Sequence, residues 1–138
     1  MKHLIFFFFF TITQLAFGQN EIRVTIHNIS PQSGSIRVGL FTNEKDFLKN
    51  AIEGKVVKVT GKEAQVVFEN LADGEYAVSI IHDENENGKL DTNFIGLPTE
   101  GFAFGNNAMG TFGPPSFDKS KVDLKGSPVD QKIKMKYM

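Results

Sequence analysis

The 138-residue chain contains no cysteine and no tryptophan. Without cysteine it can form no disulfide bond, carry no lipid on an N-terminal thiol and use no cysteine nucleophile. The formal net charge is only −1, which argues against nucleic acid as a partner, because phosphate binding requires a clustered basic surface. The domain must therefore be held together by its hydrophobic core, to which a bound metal ion could add.

Long apolar runs are also scarce, and the exception lies at the N-terminus. An apolar segment over residues 4–12 is followed by Ala16-Phe17-Gly18, the small–x–small pattern of a signal-peptidase site. The apolar segment is shorter than the roughly 20 residues that a membrane span needs. We therefore expect a signal peptide over residues 1–18, a single β-sandwich domain over 19–138 and no membrane span. The protein is expected to be exported to the periplasm, the outer-membrane surface or the extracellular space.

Short segments of alternating polarity dominate the rest of the chain. Apolar and polar residues alternate over 22–26 and 36–40, and the turn residues between them predict an antiparallel hairpin. Residues 43–48 alone resemble a helical turn. Seven or eight short strands with almost no helix predict an all-β fold, a seven- to eight-stranded antiparallel β-sandwich. The further predicted strands cover 55–60, 63–69, 75–82, 93–96, 119–124 and 129–137.

One segment places oxygen donors at regular intervals. Residues 82–91 read His-Asp-Glu-Asn-Glu-Asn-Gly-Lys-Leu-Asp, which has the one–three–five–six–nine spacing of a calcium loop. Ca²⁺ takes about six to eight oxygen ligands, and a short loop can supply them only if alternate residues point inward. Glycine at the sixth position, Gly88, permits the sharp turn. The predicted ligands are Asp83, Asn85, Asn87, Asp91 and the backbone carbonyl of Lys89.

Two features distinguish this segment from an EF-hand. The flanking segments are predicted strands, and the position of the bidentate glutamate is occupied by Phe94. We assign the missing ligand to Glu100, whereas Glu84 and Glu86 should point outward. With few carboxylates the affinity for calcium should be low, about 10⁻⁴–10⁻³ M, and the role structural. The alternative is a plain turn, because asparagine, aspartate and glycine are also common in loops.

Two stretches of sequence resemble known families. Residues 68–78 follow the pattern F-x-x-L-x-x-G-x-Y-x-V, which resembles the strand–turn–strand of transthyretin-like sandwiches, including carboxypeptidase regulatory-like and collagen-adhesin B-type domains. This resemblance implies an immunoglobulin-like or prealbumin-like sandwich. Residues 76–117, with His82 to Asp91, Asn93 to Ala108 and Phe112 to Phe117, resemble a secreted bacterial family, the domain of unknown function 2141. That resemblance implies a secreted β-sandwich and assigns no activity.

His82 raises the possibility of catalysis beside Asp83. Neighbouring residues on a strand point to opposite faces, so the two side chains are poorly placed to form a dyad. No serine lies in a nucleophile-elbow motif, and no H-x-H or H-x-x-x-H pair supports a zinc site. We expect no enzyme, with a metal-dependent hydrolase centred on His82 as the distant alternative. His82 is interpreted as a packed strand residue or as a support for the acidic loop.

A glycine- and phenylalanine-rich segment follows, over residues 94–117. These phenylalanines either plug one end of the core or form a recognition surface for a glycan or peptide. Under the second interpretation the partner is an extracellular glycan or protein. We expect the protein itself to be a monomer. Its candidate ligand-binding residues are His82, Phe102, Phe104, Asn106, Asn107 and Phe112.

Overall fold

The computed structural model describes residues 20–138, so the predicted signal peptide lies outside the described residues. These described residues form eight strands, one 3₁₀ turn at Gly105–Asn107 and one short helix, α1, at Phe117–Ser120. None of the helices in this part of the chain is long and apolar enough to cross a membrane. The strands are β1 (Ile22–His27), β2 (Ser35–Phe41), β3 (Glu53–Lys58), β4 (Ala64–Phe68), β5 (Gly74–Asp83), β6 (Phe102–Phe104), β7 (Lys121–Leu124) and β8 (Val129–Lys134).

The strands form two sheets, which confirms the predicted all-β sandwich. The first has the order β4-β1-β8, and the second has the order β3-β2-β5, with β6 and β7 sharing the far edge of the long strand β5. All pairs are antiparallel except β1 and β8, which run parallel from Ile22↔Val129 to His27↔Lys134. The sandwich is therefore antiparallel in all but one of its strand pairs.

The predicted hairpin between the first two strands is wrong. β1 pairs with β4 and β8, whereas β2 lies in the other sheet between β3 and β5. The alternating pattern determines which face of each strand is buried, but it does not determine which neighbour supplies the hydrogen bonds. Both strands turn their apolar faces to one core from opposite sides. The strand predicted over 93–96 is likewise a turn, and the strand predicted from residue 119 begins after α1.

The principal core fills the space between the sheets. Its residues lie on alternate positions of each strand, so that β5 alone contributes Tyr76, Val78 and Ile80. Every strand pattern with period two places the intervening residues on the outer face. The other fully buried members of this core with large side chains are Ile22, Val24, Ile26, Ile29, Ile36, Leu40, Phe68, Leu124, Ile133 and Met135.

A second apolar cluster covers the outer face of the five-stranded sheet. Phe102 and Phe104 lie on either side of Ala103, which faces the principal core, so their rings point outward. There they pack with Phe47, from the turn after β2, and with Phe117 of α1. Phe41, Ala77 and partly buried Leu90 and Ala108 complete this outer cluster. Leu90 belongs to the acidic segment, so the outer cluster anchors that segment to the sheet.

The hydrogen bond between the Tyr76 hydroxyl and the turn before β5 can be tested by mutation. The Tyr76 ring is buried, and its hydroxyl donates a 2.7 Å hydrogen bond to the carbonyl of Ala72, in the turn before β5. Replacement by phenylalanine keeps the packing of the ring and removes this hydrogen bond to the Ala72 carbonyl. We expect Tyr76→Phe to lower the free energy of unfolding by about 1 kcal/mol, and the melting temperature by about 3–6 °C. Unchanged thermal unfolding, followed by circular dichroism, would contradict this role.

Candidate metal centre

The acidic segment begins where β5 leaves the sheet. His82 and Asp83 are the last two residues of β5, and their side chains lie on opposite faces of the sheet because strand residues alternate. Asp83 therefore points to the outer face, toward Arg37 on the neighbouring strand β2. Residues 84–91 fold back over this face, with Gly88 close to the Arg37 guanidinium. Gly34 permits the approach, because a β-carbon there would overlap the backbone of Asp83 and Glu84.

Asp83 organises the first half of the loop although its side chain is fully buried. Its Oδ1 accepts a hydrogen bond from the backbone N–H of Asn87 at 3.0 Å. Its Oδ2 accepts one from the N–H of Gly88 at 2.8 Å and another from Nε of Arg37 at 2.6 Å. Burial alone would raise the pKa of Asp83, but the hydrogen bonds from Arg37, Gly88 and Asn87 outweigh it and lower that pKa. The group is an ionised carboxylate at neutral pH.

Asp91 organises the second half of the loop. Its Oδ2 accepts a 2.6 Å hydrogen bond from Nδ2 of Asn85, and both its oxygens accept from Nδ2 of Asn87, at 2.8 and 2.9 Å. The amide oxygens of the same two asparagines accept from backbone N–H groups within the loop, those of Asn87 and Lys89. The structure thus brings three of the predicted ligands into direct contact with one another.

Glu100 joins the two ends of the loop. It is buried, with an exposed fraction of 5%, and its Oε1 accepts from the N–H of Glu84 at 3.0 Å while its Oε2 accepts from the N–H of Asp91 at 2.9 Å. The structure therefore places Glu100 at the loop, nine residues beyond Asp91 in sequence. Its two oxygens act on the loop backbone, so it contributes a clamp in addition to negative charge.

Glu86 points away from this network. Its carboxylate contacts the hydroxyl of Ser35 and the amine of Lys58, which lie on β2 and β3. These contacts, led by the hydrogen bond from Lys58, lower the pKa of Glu86. The outward direction predicted for this residue follows from the alternation of the loop, and its side chain ties the outside of the loop to the sheet.

The donor set fits a hard divalent cation. Asp83 and Asp91 carry carboxylate oxygens, Asn85 and Asn87 carry amide oxygens, and Glu100 adds a third carboxylate at the base. The amide nitrogens of both asparagines face Asp91, so these two amides would have to rotate to present their oxygens to a cation. Over residues 20–138 no group of three or more His, Cys, Asp or Glu side chains is arranged to hold a metal ion. Any cation bound by this loop therefore depends on the two asparagine amides, which calcium accepts and zinc does not favour.

Arg37 is the member of the site that sequence reasoning missed. In the sequence it is a basic residue on the polar face of a predicted strand, and most residues of that kind simply face the solvent. The pairing with Asp83 arises because β2 and β5 are antiparallel neighbours with Arg37 opposite Ile81, two residues before Asp83. Neighbouring strands bring these groups together, and nothing in the spacing along the chain indicates it.

His82 lies on the opposite face of β5, inside the sandwich. It is fully buried, its Nε2 donates to the carbonyl of Ser33 at 2.7 Å, and its Nδ1 lies 2.9 Å from the hydroxyl of Tyr137. Burial raises the pKa of Tyr137, and its hydroxyl also accepts from the N–H of Ser30. Gly101 leaves the space in which the Tyr137 ring packs against His82. His82 thus links three segments and has no contact with Asp83 in this network.

The structure does not bring the six candidate ligand-binding residues onto one surface. His82 is inside the sandwich, whereas Phe102 and Phe104 are buried in the outer cluster. Asn106 and Asn107 use their side chains to bind backbone groups: Asn106 donates to the carbonyl of Lys121 at 2.7 Å, and Asn107 donates to that of Lys132 and accepts from the N–H of Lys134. Phe112 is fully exposed. These residues form parts of the core and of the loop framework, with Phe112 standing alone.

Comparison with known proteins places the chain. The model of a bacterial family described as "Uncharacterized protein conserved in bacteria (DUF2141)" matches residues 24–132. The chain belongs to this family. The matched range contains the six complete strands β2 to β7, parts of β1 and β8, the acidic loop, Arg37 and Glu100. No curated protein and no solved structure matches the chain, so the resemblance of residues 68–78 to transthyretin-like sandwiches stays a prediction from sequence.

Replacing Arg37 should show what its guanidinium does in this DUF2141 domain. Arg37→Met keeps the aliphatic stem and leaves the buried Asp83 carboxylate with backbone donors only. We expect a loss of about 2 kcal/mol in the free energy of unfolding, less than for a fully buried pair because Arg37 is about one-third exposed. Lys58→Met is the matched control, because it removes the partner of exposed Glu86 in the same loop. Equal effects in urea denaturation would argue against a special role for Arg37.

Acid should destabilise the DUF2141 domain through Asp83. Because its folded-state pKa is lowered, its contribution is present above the unfolded-state pKa of about 4 and is lost as the pH falls below that value. The melting temperature should therefore decrease as the pH falls below about 4, and Asp83→Asn should flatten this decrease. Asp46→Asn is the control for a carboxyl group outside the site. The pKa of Asp46 is also lowered, but its side chain lies on an exposed turn, so this variant should change the acid profile less than Asp83→Asn does. An unchanged acid profile in Asp83→Asn would contradict the assignment.

Proposed function

We propose that this DUF2141 protein is an exported, non-enzymatic β-sandwich whose 83–91 loop binds Ca²⁺ with low affinity and is stabilised by it. The observation that carries the proposal is the convergence of Asn85 and Asn87 on the carboxylate of Asp91. Three side chains at positions three, five and nine of the calcium-loop spacing meet at one point through the amide nitrogens of the two asparagines, and rotation of these amides would turn their oxygens toward a bound cation. A plain turn needs no such convergence.

The charge of the site supports calcium at low affinity. The loop has three carboxylates, those of Asp83, Asp91 and Glu100, and the first of them is paired with the guanidinium of Arg37. The paired Arg37 neutralises part of the negative charge that would otherwise attract a cation. The loop is also held together by its own hydrogen bonds, so a cation adds to an existing arrangement. Both effects support a Kd of about 10⁻⁴–10⁻³ M, as in extracellular calcium modules.

A structural role is supported by His82, the candidate catalytic residue, because its side chain is already used within the fold. Both ring nitrogens of His82 are engaged in hydrogen bonds inside the sandwich, which leaves neither for substrate or metal. A surface groove of about 650 Å³ is lined by Asp73–Glu75 and Asp123–Gly126. It lies at the start of β5, at the opposite end of that strand from the loop, so it is separate from the candidate metal site. Export is supported by the sequence pattern of residues 1–18.

Calcium binding is tested by thermal unfolding of the mature domain in chelator and in about 10 mM Ca²⁺. A Kd of about 10⁻⁴–10⁻³ M predicts a stabilisation of about 1.4–2.7 kcal/mol, or an increase of roughly 5–10 °C in the melting temperature. Asp91→Ala should abolish the increase, because it removes the carboxylate on which the two asparagines converge.

Asp123→Ala is the matched control, since Asp123 is an exposed acidic residue on β7, at the other end of β5. It should respond to calcium like the wild type. Mg²⁺ at the same concentration should shift the wild type less, because an amide-rich loop cannot enforce the small octahedral shell that Mg²⁺ demands. The absence of any shift at about 10 mM Ca²⁺ would exclude the proposed affinity range.

A further inference from the structure

The turn that follows the acidic loop carries an apolar tip. Phe94 has an exposed fraction of 98%, Ile95 of 64% and Leu97 of 43%. Folding normally hides aromatic and branched aliphatic side chains, and an ordered group of them outside the core marks an interaction site. None of the three belongs to either apolar cluster of the sandwich.

The tip is held in place by hydrogen bonds of its own. The side-chain oxygen of Asn93 accepts from the N–H groups of Ile95 and Leu97, at 3.1 and 3.0 Å. The backbone of Asn93 bonds with Leu97 and Gly96, and a bridge joins Thr92 to Pro98 below the turn. The apolar side chains are therefore displayed on a defined scaffold, so that binding through them would cost little ordering of the backbone.

Charge is absent from this tip. The eight residues Thr92 to Thr99 contain no ionisable side chain, and the carboxylates that flank them, Asp91 and Glu100, are turned toward the loop by hydrogen bonds. An uncharged projection of three apolar side chains can leave water without desolvating a charge. Its chemistry is complementary to an apolar phase and not to a polar or charged surface.

The small size of the tip selects among apolar partners. A stable protein–protein interface buries about 800 Å² on each partner, far more than three side chains on one turn can cover. Insertion into the boundary between lipid headgroups and acyl chains requires no complementary shape, and its strength grows with the apolar area inserted. Phenylalanine and aliphatic residues on an uncharged turn suit that boundary.

We propose that the Asn93–Leu97 turn inserts into phospholipid bilayers and holds this protein at a membrane surface. The inserted groups are the side chains of Phe94, Ile95 and Leu97. The interaction is apolar, weak and reversible, comparable to a single shallow anchor. It uses the turn alone and does not rest on calcium binding by the neighbouring loop, because the hydrogen bonds of Asn93 define the tip without it.

The proposal is tested by co-sedimentation of the mature protein with phosphatidylcholine vesicles at millimolar lipid, in chelator. Neutral vesicles and high salt remove electrostatic attraction, and the chelator separates this test from that of the calcium loop. The wild type should sediment with the vesicles to the same extent at low and high salt. Phe94→Ser should lower the partition coefficient about tenfold to a hundredfold.

Phe112→Ser is the matched control, since Phe112 is as exposed as Phe94 but lies on a different loop. It should bind vesicles like the wild type, and both variants should keep the wild-type melting temperature because neither ring packs in the cores. Three results would overturn the proposal: no sedimentation of the wild type, equal losses in the two variants, or sedimentation that disappears in high salt. Self-association that Phe94→Ser abolishes, seen by analytical ultracentrifugation without lipid, would instead assign the tip to a second copy of the chain.

Discussion

The strict alternation of side chains along β5 is the constraint on which the other features depend. This strand has neighbours along both edges, β2 on one side and β6 and β7 on the other, and it is buried on both faces for most of its length. Residues with even numbers, ending in His82, face the principal core, and residues with odd numbers, ending in Asp83, face the outer side. Two adjacent polar residues thereby enter different environments, one between the sheets and one beneath the acidic loop.

Each of these polar groups is satisfied by a separate network. A buried polar group without a partner costs about 1–3 kcal/mol, and a buried charge costs more. His82 meets this cost through Ser33 and Tyr137, and Asp83 through Arg37 and two loop amides. The two networks connect the end of β5 to the β1–β2 connection, the C-terminal segment, β2 and the acidic loop. Polar contacts thereby define one end of a sandwich whose middle is purely apolar.

The outer cluster of phenylalanines explains why a glycine- and phenylalanine-rich segment follows the loop. Phe102 and Phe104 return the chain to the edge of β5, where Phe102 also pairs with Lys136 near the end of the chain. The phenylalanines of this segment are therefore divided between a packed cluster on the sheet and exposed positions at Phe94 and Phe112. Each ring is buried where the backbone runs along the sheet and exposed where the backbone leaves the sheet.

The sequence by itself determined the all-β class, the alternating core positions and the spacing of the oxygen donors in the acidic loop. These are local properties, since a period of two and a spacing of one–three–five–nine can be read along the chain. The tertiary structure alone decided the parallel pairing of β1 with β8, the separation of β1 from β2, the pairing of Arg37 with Asp83 and the burial of Phe102 and Phe104. Each depends on which strands become neighbours, and many different strand orders satisfy the same alternation. Glu100 stands between these cases: its charge suggested a role at the loop, but its two backbone partners became apparent only once the chain was folded.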